Sequence, residues 1–136
     1  MEREVLTLED APRGPELPAA VLLHSGAPGG DHFDVLLAVR EPASEDDRAC
    51  ATWRADADPG CVAPGGSIRV EAIHAHRAAY LALREIRTLD AGRGTVSPVR
   101  RGRWRMADGG TIELAWDGGG TTVVRPEAAE RWRILR

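Results

Sequence analysis

Short apolar or alternating segments, punctuated by Gly, Pro and Asp, recur from one end of the chain to the other. This is the rhythm of strands joined by tight loops. Ten stretches read as strands: 4–8, 19–24, 32–39, 50–55, 68–73, 94–99, 103–106, 111–116, 121–125 and 131–135. Asp108-Gly109-Gly110 and Asp117-Gly118-Gly119-Gly120 predict hairpin turns, because glycine accepts the positive φ such turns need. The last third is therefore a meander. Only the alanine-rich stretch 74–84 predicts helix, two or three turns of it, while 41–47 and 56–66 read as exposed connections. So many short strands in 136 residues would leave edges unpaired unless the sheet closed on itself or folded into a sandwich. The expectation is a mainly β protein: a small closed or partly open β-barrel with one or two short helices, forming a single domain over residues 1–136.

Composition narrows the classes. Hydrophobic residues make up 43% of the chain, yet no apolar run approaches the roughly 20 residues of a membrane span. Met1 to Glu4 has no basic region leading into an apolar stretch, so no secretory leader and no membrane association are expected, and the cytoplasm is the default location. Cys50 and Cys61 lack the spacing of a structural zinc site and are expected to be reduced and buried. Trp53, Trp104, Trp116 and Trp132 are expected to fill the core or its rim.

All 18 basic residues are arginine, which removes lysine as a nucleophile or phosphate ligand. Charge is polarised along the chain, with 5 Arg against 13 acids in residues 1–68 and 13 Arg against 8 acids in residues 69–136. The densest basic cluster is Arg93, Arg100, Arg101, Arg103 and Arg105. Arginine forks match phosphate oxygens, so beside a metal this cluster favours a phosphate-bearing ligand such as a nucleic-acid end. Alternating on a strand, the same arginines would simply form a solvated outer face.

The stretch with the most chemistry is His32-Phe33-Asp34. On an extended segment His32 and Asp34 project to one face, while Phe33, Val35, Leu37 and Val39 pack behind. His24 ends the preceding apolar run, and the Gly/Pro-rich turn after it can bring it back beside His32. His24, His32 and Asp34 are thus candidate metal ligands, with His76 available as a fourth. Imidazole plus carboxylate suits zinc, manganese or iron. In a barrel the pair would face either the interior mouth or a groove on the wall.

The motifs in order are His24, then His32-Phe33-Asp34-Val35-Leu36-Leu37, Thr52-Trp53, His76-Arg77-Ala78-Ala79-Tyr80, Gly92-Arg93-Gly94-Thr95-Val96 and Gly102-Arg103-Trp104. Across residues 20–136 this succession resembles the 3′-phosphoesterase domain of DNA ligase D and its stand-alone relatives. The resemblance implies a small β-barrel that binds a divalent metal, typically manganese with zinc as the alternative. Its work would be hydrolysis at 3′ ends of DNA or RNA, removing a terminal phosphate or ribonucleoside during DNA repair by non-homologous end joining. Nucleic-acid 3′ ends, and DNA ligase or polymerase proteins of end joining, are the implied partners. By position, His24, His32 and Asp34 look like the metal ligands, His76 like the catalytic group at the scissile phosphate, and Tyr80 like its assistant. The chain departs from the family at three places. Leu36 stands where the family has a phosphate-binding Arg, Asp56 and Ala57 stand near its Pro-Lys, and the stretch between His24 and His32 is two residues longer. Arg54, Arg69 and Arg93 are the candidate replacements for phosphate binding. The implied activity is accordingly weakened, and the alternative function is an inactive barrel that binds nucleic acid or protein.

Overall fold

The computed structural model describes residues 4–128 and 130–136. Met1 to Arg3, where the start of a leader was sought, lie outside the described residues. Nine strands form one antiparallel sheet: β1 (Leu17–Ser25), β2 (His32–Ala38), β3 (Cys50–Ala55), β4 (Ser67–His76), β5 (Arg87–Thr88), β6 (Thr95–Met106), β7 (Ile112–Trp116), β8 (Thr121–Glu127) and β9 (Arg131–Ile134). The order is β1-β2-β3-β4-β9-β8-β7-β6-β5, and β6 also pairs with β1. That last pairing closes the sheet into a ring, which removes the long free edges an open sheet would expose. The expected barrel is therefore present, with β5 as a short flap hydrogen-bonded to the start of β6.

Register decides what faces inward. Val21, Val35, Trp53 and Ala72 are cross-strand partners in succession, as are Leu17, Trp104 and Leu114 around the other side. Trp104 is 1% exposed, and its indole N–H donates to the Ala38 carbonyl at 2.8 Å, so burial leaves no donor unpaired. All four tryptophans are buried, as expected. The alternate set, Leu22, Asp34, Arg54 and Glu71, points to the outer face of the β1-β2-β3-β4 wall. His32 and Asp34 hence face a groove on the wall rather than the barrel mouth.

Three elements differ from expectation. Segments 94–99 and 103–106 are one continuous strand, β6, which absorbs Pro98 by a bulge: Val21 pairs with Arg100 and Leu22 with Pro98, leaving Val99 over. Gly102 lets that strand pass β7 closely, since a Cβ there would overlap the Ala115 carbonyl oxygen. Residues 4–8 make no strand; Leu8–Asp10 is a 3₁₀ turn. The alanine-rich stretch is also not an α-helix. β4 runs on to His76, and a 3₁₀ turn occupies Ala78–Ala82. The reason is tertiary: Ala78 N–H donates to Asp47 O and Ala79 N–H to Glu45 O, so the neighbouring loop takes the bonds a helix would have used. Among the described residues there is no α-helix, and none of the helical turns is long and apolar enough to cross a membrane.

Cys50 and Cys61 are both free, but only Cys50 is buried; burial pushes its thiol up to about 12, which makes it inert. Cys61 is exposed, contrary to expectation, because it ends a 3₁₀ turn whose buried residues are Asp58 and Pro59.

Candidate metal centre and its arginine rim

β1 and β2 pair with His24 opposite His32, so the hairpin alone places two imidazoles side by side, 4.8 Å between ring centroids. Asp34 follows two residues on, on the same face. One donor atom from each of His24, His32 and Asp34 lies within 4.8 Å of the others, close enough for a single ion to touch all three.

Backbone carbonyls orient the rings. A carbonyl oxygen only accepts, so His24 Nε2–H donates to Arg93 O at 2.6 Å, and Nδ1 keeps the lone pair. His32 Nδ1–H donates to Gly30 O at 3.2 Å, and His76 Nδ1–H to His74 O at 3.1 Å, which leaves Nε2 with the lone pair on each. Such carbonyl anchors on the remote nitrogen are the usual support of a metal-binding imidazole. The turn that supplies Arg93 O depends on Gly94, at φ +86°, where a Cβ would overlap the Ser25 carbonyl oxygen. The Gly-Arg-Gly motif therefore has a steric cause.

Asp34 is the unusual group. It is 2% exposed, and its Oδ1 has no hydrogen-bond donor among the described residues. His32 Nε2 stands 3.2 Å from Oδ1 and His76 Nε2 3.9 Å from Oδ2. With both Nδ1 atoms protonated, each approach sets a lone pair against a carboxylate, which is repulsive unless a cation or a second proton intervenes. Burial raises the Asp34 carboxyl above its ordinary value, opposed by the nearby His32, His24 and Arg54. An orphaned buried carboxylate oxygen facing imidazole lone pairs is the environment a divalent cation relieves, so the donor set fits a metal. His76 lies outside the three-donor cluster, which leaves the arrangement with open coordination positions. Sites of that kind are catalytic rather than structural.

Burial pushes His76 down to about 4, only partly offset by the carbonyl of His74, so the ring is neutral at pH 7. Tyr80 meets it edge-on, with centroids 5.7 Å apart, while His74 stacks on its other side at 5.0 Å. The surrounding cleft, about 270 Å³, contains the triad, His74, His76 and Tyr80 under the arginines 48, 54, 77 and 93.

The arginines divide by what already holds them. Arg48 donates to Ala75 O, Arg77 pairs with Asp46, and Arg93 donates through Nε to Asp90 O. Arg54, directly across the ladder from Asp34, has no carboxylate or carbonyl partner among the described residues. Arg69 does not reach the cleft. It pairs across the ladder with Arg131, exposed on the wall between Ile68 and Val70, which both point inward. Of the dense basic cluster only Arg93 lines the cleft; Arg100 binds Asp58, Arg103 binds Glu41 and Arg105 binds Glu113. Leu36, at the family's arginine position, is fully buried and absent from the lining.

Arg48, Arg77 and His74 were not singled out from the sequence. His74-Ala75-His76 had the period of two that puts both rings on one strand face, but its alanine content read as helix. No local signal marks Arg48, which reaches the cleft only because its loop leads into β3. No protein-family model, curated protein or solved structure matches the chain.

Proposed function

We propose that the chain is a metal-dependent phosphoesterase acting on 3′ ends of DNA or RNA, a divergent relative of the ligase D phosphoesterase domain. The observation that carries this reading is the buried, donorless Asp34 Oδ1 between two carbonyl-anchored imidazoles, beneath a rim of arginine. His24 Nδ1, His32 Nε2 and Asp34 would hold the ion, manganese by resemblance and zinc by donor chemistry. Such an ion supplies neutralisation of phosphate charge and acidification of water.

The side chains divide the remaining work. Arg54 offers an uncommitted planar fork to phosphate oxygens, and Arg93 adds positive charge at the opposite lip. His76 is neutral with its lone pair at Nε2, so it suits accepting a proton from an attacking water better than donating one to the phosphate. Tyr80 and His74 fix the plane of that ring. Buried Leu36 removes one phosphate contact, and turnover is expected to be correspondingly weak.

The test combines manganese titration with phosphate release from a 3′-phosphorylated primer-template. The wild type should bind the ion and release phosphate, and His32→Ala and Asp34→Ala should do neither. The loss of a polar residue at position 36 favours one second reading, a barrel that binds without turnover. Metal binding with no release above the variants, together with duplex affinity falling steeply with salt, would establish that reading instead.

A further inference from the structure

The barrel wall has a gap between β4 and β9, and we propose that it binds an extended peptide segment carrying arginine or lysine. The two strands pair only at Ser67–Arg133, Ile68–Trp132 and Arg69–Arg131, followed by one bond from Val70 N–H to Glu130 O. Ladder parity then turns the N–H and C=O of Ala72 to the same side. Beyond Glu130 the chain has turned away toward β8, and no described residue pairs with Ala72 there. A short length of strand edge is left open, the template that a peptide strand extends.

Side chains around the gap state what the peptide carries. Its cavity, about 260 Å³, shares no residue with the metal cleft. The floor is Trp53 and Trp132, with ring centroids 5.3 Å apart. Trp104 and Trp116 give their indole N–H groups to Ala38 O and Thr122 Oγ1, whereas Trp53 and Trp132, 8% and 3% exposed, have no acceptor among the described residues. These two donors await a carbonyl. At the rim, Glu127 is satisfied by Arg125 and Arg133, and Arg131 is drawn to Ser67 Oγ. Glu71 and Glu130 have no cationic partner among the described residues. Two free carboxylates over an indole floor select a long cationic side chain, its stem on the rings and its head between the acids.

The probe is a blocked seven-residue peptide alternating arginine with threonine, followed by tryptophan emission. Saturable change is expected with this peptide, with affinity about tenfold lower for the Glu71→Gln/Glu130→Gln double variant, the loss of two part-exposed charge contacts. The same peptide with its backbone amides methylated at alternate positions should also bind more weakly, and chelating metal should change nothing. Equal binding of a glutamate-threonine peptide, unchanged affinity in the double variant, or no saturable response overturns the proposal. Concentration-dependent dimerisation abolished by the double variant would overturn it too, by giving the gap to a second copy of this chain.

Discussion

Replacing Asp34 with asparagine should stabilise the metal-free protein and at the same time abolish its response to metal. The side chain is buried, keeps its shape in the substitution, and exchanges a donorless carboxylate oxygen for a group with two N–H donors. One of these can donate to the His32 Nε2 lone pair, now 3.2 Å from Oδ1. Leaving a buried polar group unsatisfied costs about 1–3 kcal/mol, and that is the stabilisation expected in the presence of chelator. In a domain of this size it corresponds to a rise in Tm of about 3–12 °C. Metal reverses the order, since an ion at 100 times its dissociation constant stabilises the wild type by about 2.7 kcal/mol and the variant by nothing. The pH dependence follows the same logic. A carboxyl whose pKa is raised on folding binds its proton more tightly in the folded state, so its charged form costs stability at high pH and the cost fades as pH falls. The advantage of Asp34→Asn in chelator should therefore shrink on acidification. Thermal melts of both proteins, with chelator and with manganese, at several pH values, measure all of this. A variant less stable than wild type in chelator, or equally stabilised by manganese, would refute the view that Asp34 is an uncompensated charge awaiting a cation.

Gly94→Ala should cost at least about 2 kcal/mol from its left-handed backbone and the overlap with Ser25 O, and it should weaken manganese binding about 10- to 100-fold by shifting the carbonyl that anchors His24; calorimetry and melting check the two effects. Arg54→Ala should raise the KM for a 3′-phosphorylated substrate about tenfold, the loss of a charge-assisted contact, whereas Arg69→Ala, outside the cleft, should leave it unchanged. Trp104→Phe should destabilise by about 1–3 kcal/mol in chemical denaturation, because Ala38 O loses its buried donor. The Arg40 side chain and the Ala43 N–H hold Asp47 below the ordinary carboxylate range, and Arg133 and Arg125 do the same for Glu127. Both acids stabilise the fold above the ordinary carboxylate pKa, and that contribution fades as pH falls through their lowered values, so Arg40→Ala should flatten the acid limb of a Tm-against-pH curve.

Much of the barrel is legible along the chain because a strand declares itself locally. Residues 50–55 alternate as β3 does, and the Asp-Gly turns before β7 and β8 have glycines at φ +78° and +76°, and at +86°, +111° and +91°. The helix expected at 74–84 failed for the opposite reason. Its backbone groups bond to a loop some thirty residues earlier, a choice no local propensity contains.

Local periodicity and turn chemistry by themselves determine that this is a chain of short strands and that His32 and Asp34 share a face. Only the folded wall decides that the face is an outer groove, that His24 is steered by a carbonyl 69 residues away, and that Arg54 stays free while Arg100, Arg103 and Arg105 are tied to acids. Alternation is fixed by the geometry of neighbouring residues, whereas ring closure, partner choice and burial depend on which distant strands compete to cover one another.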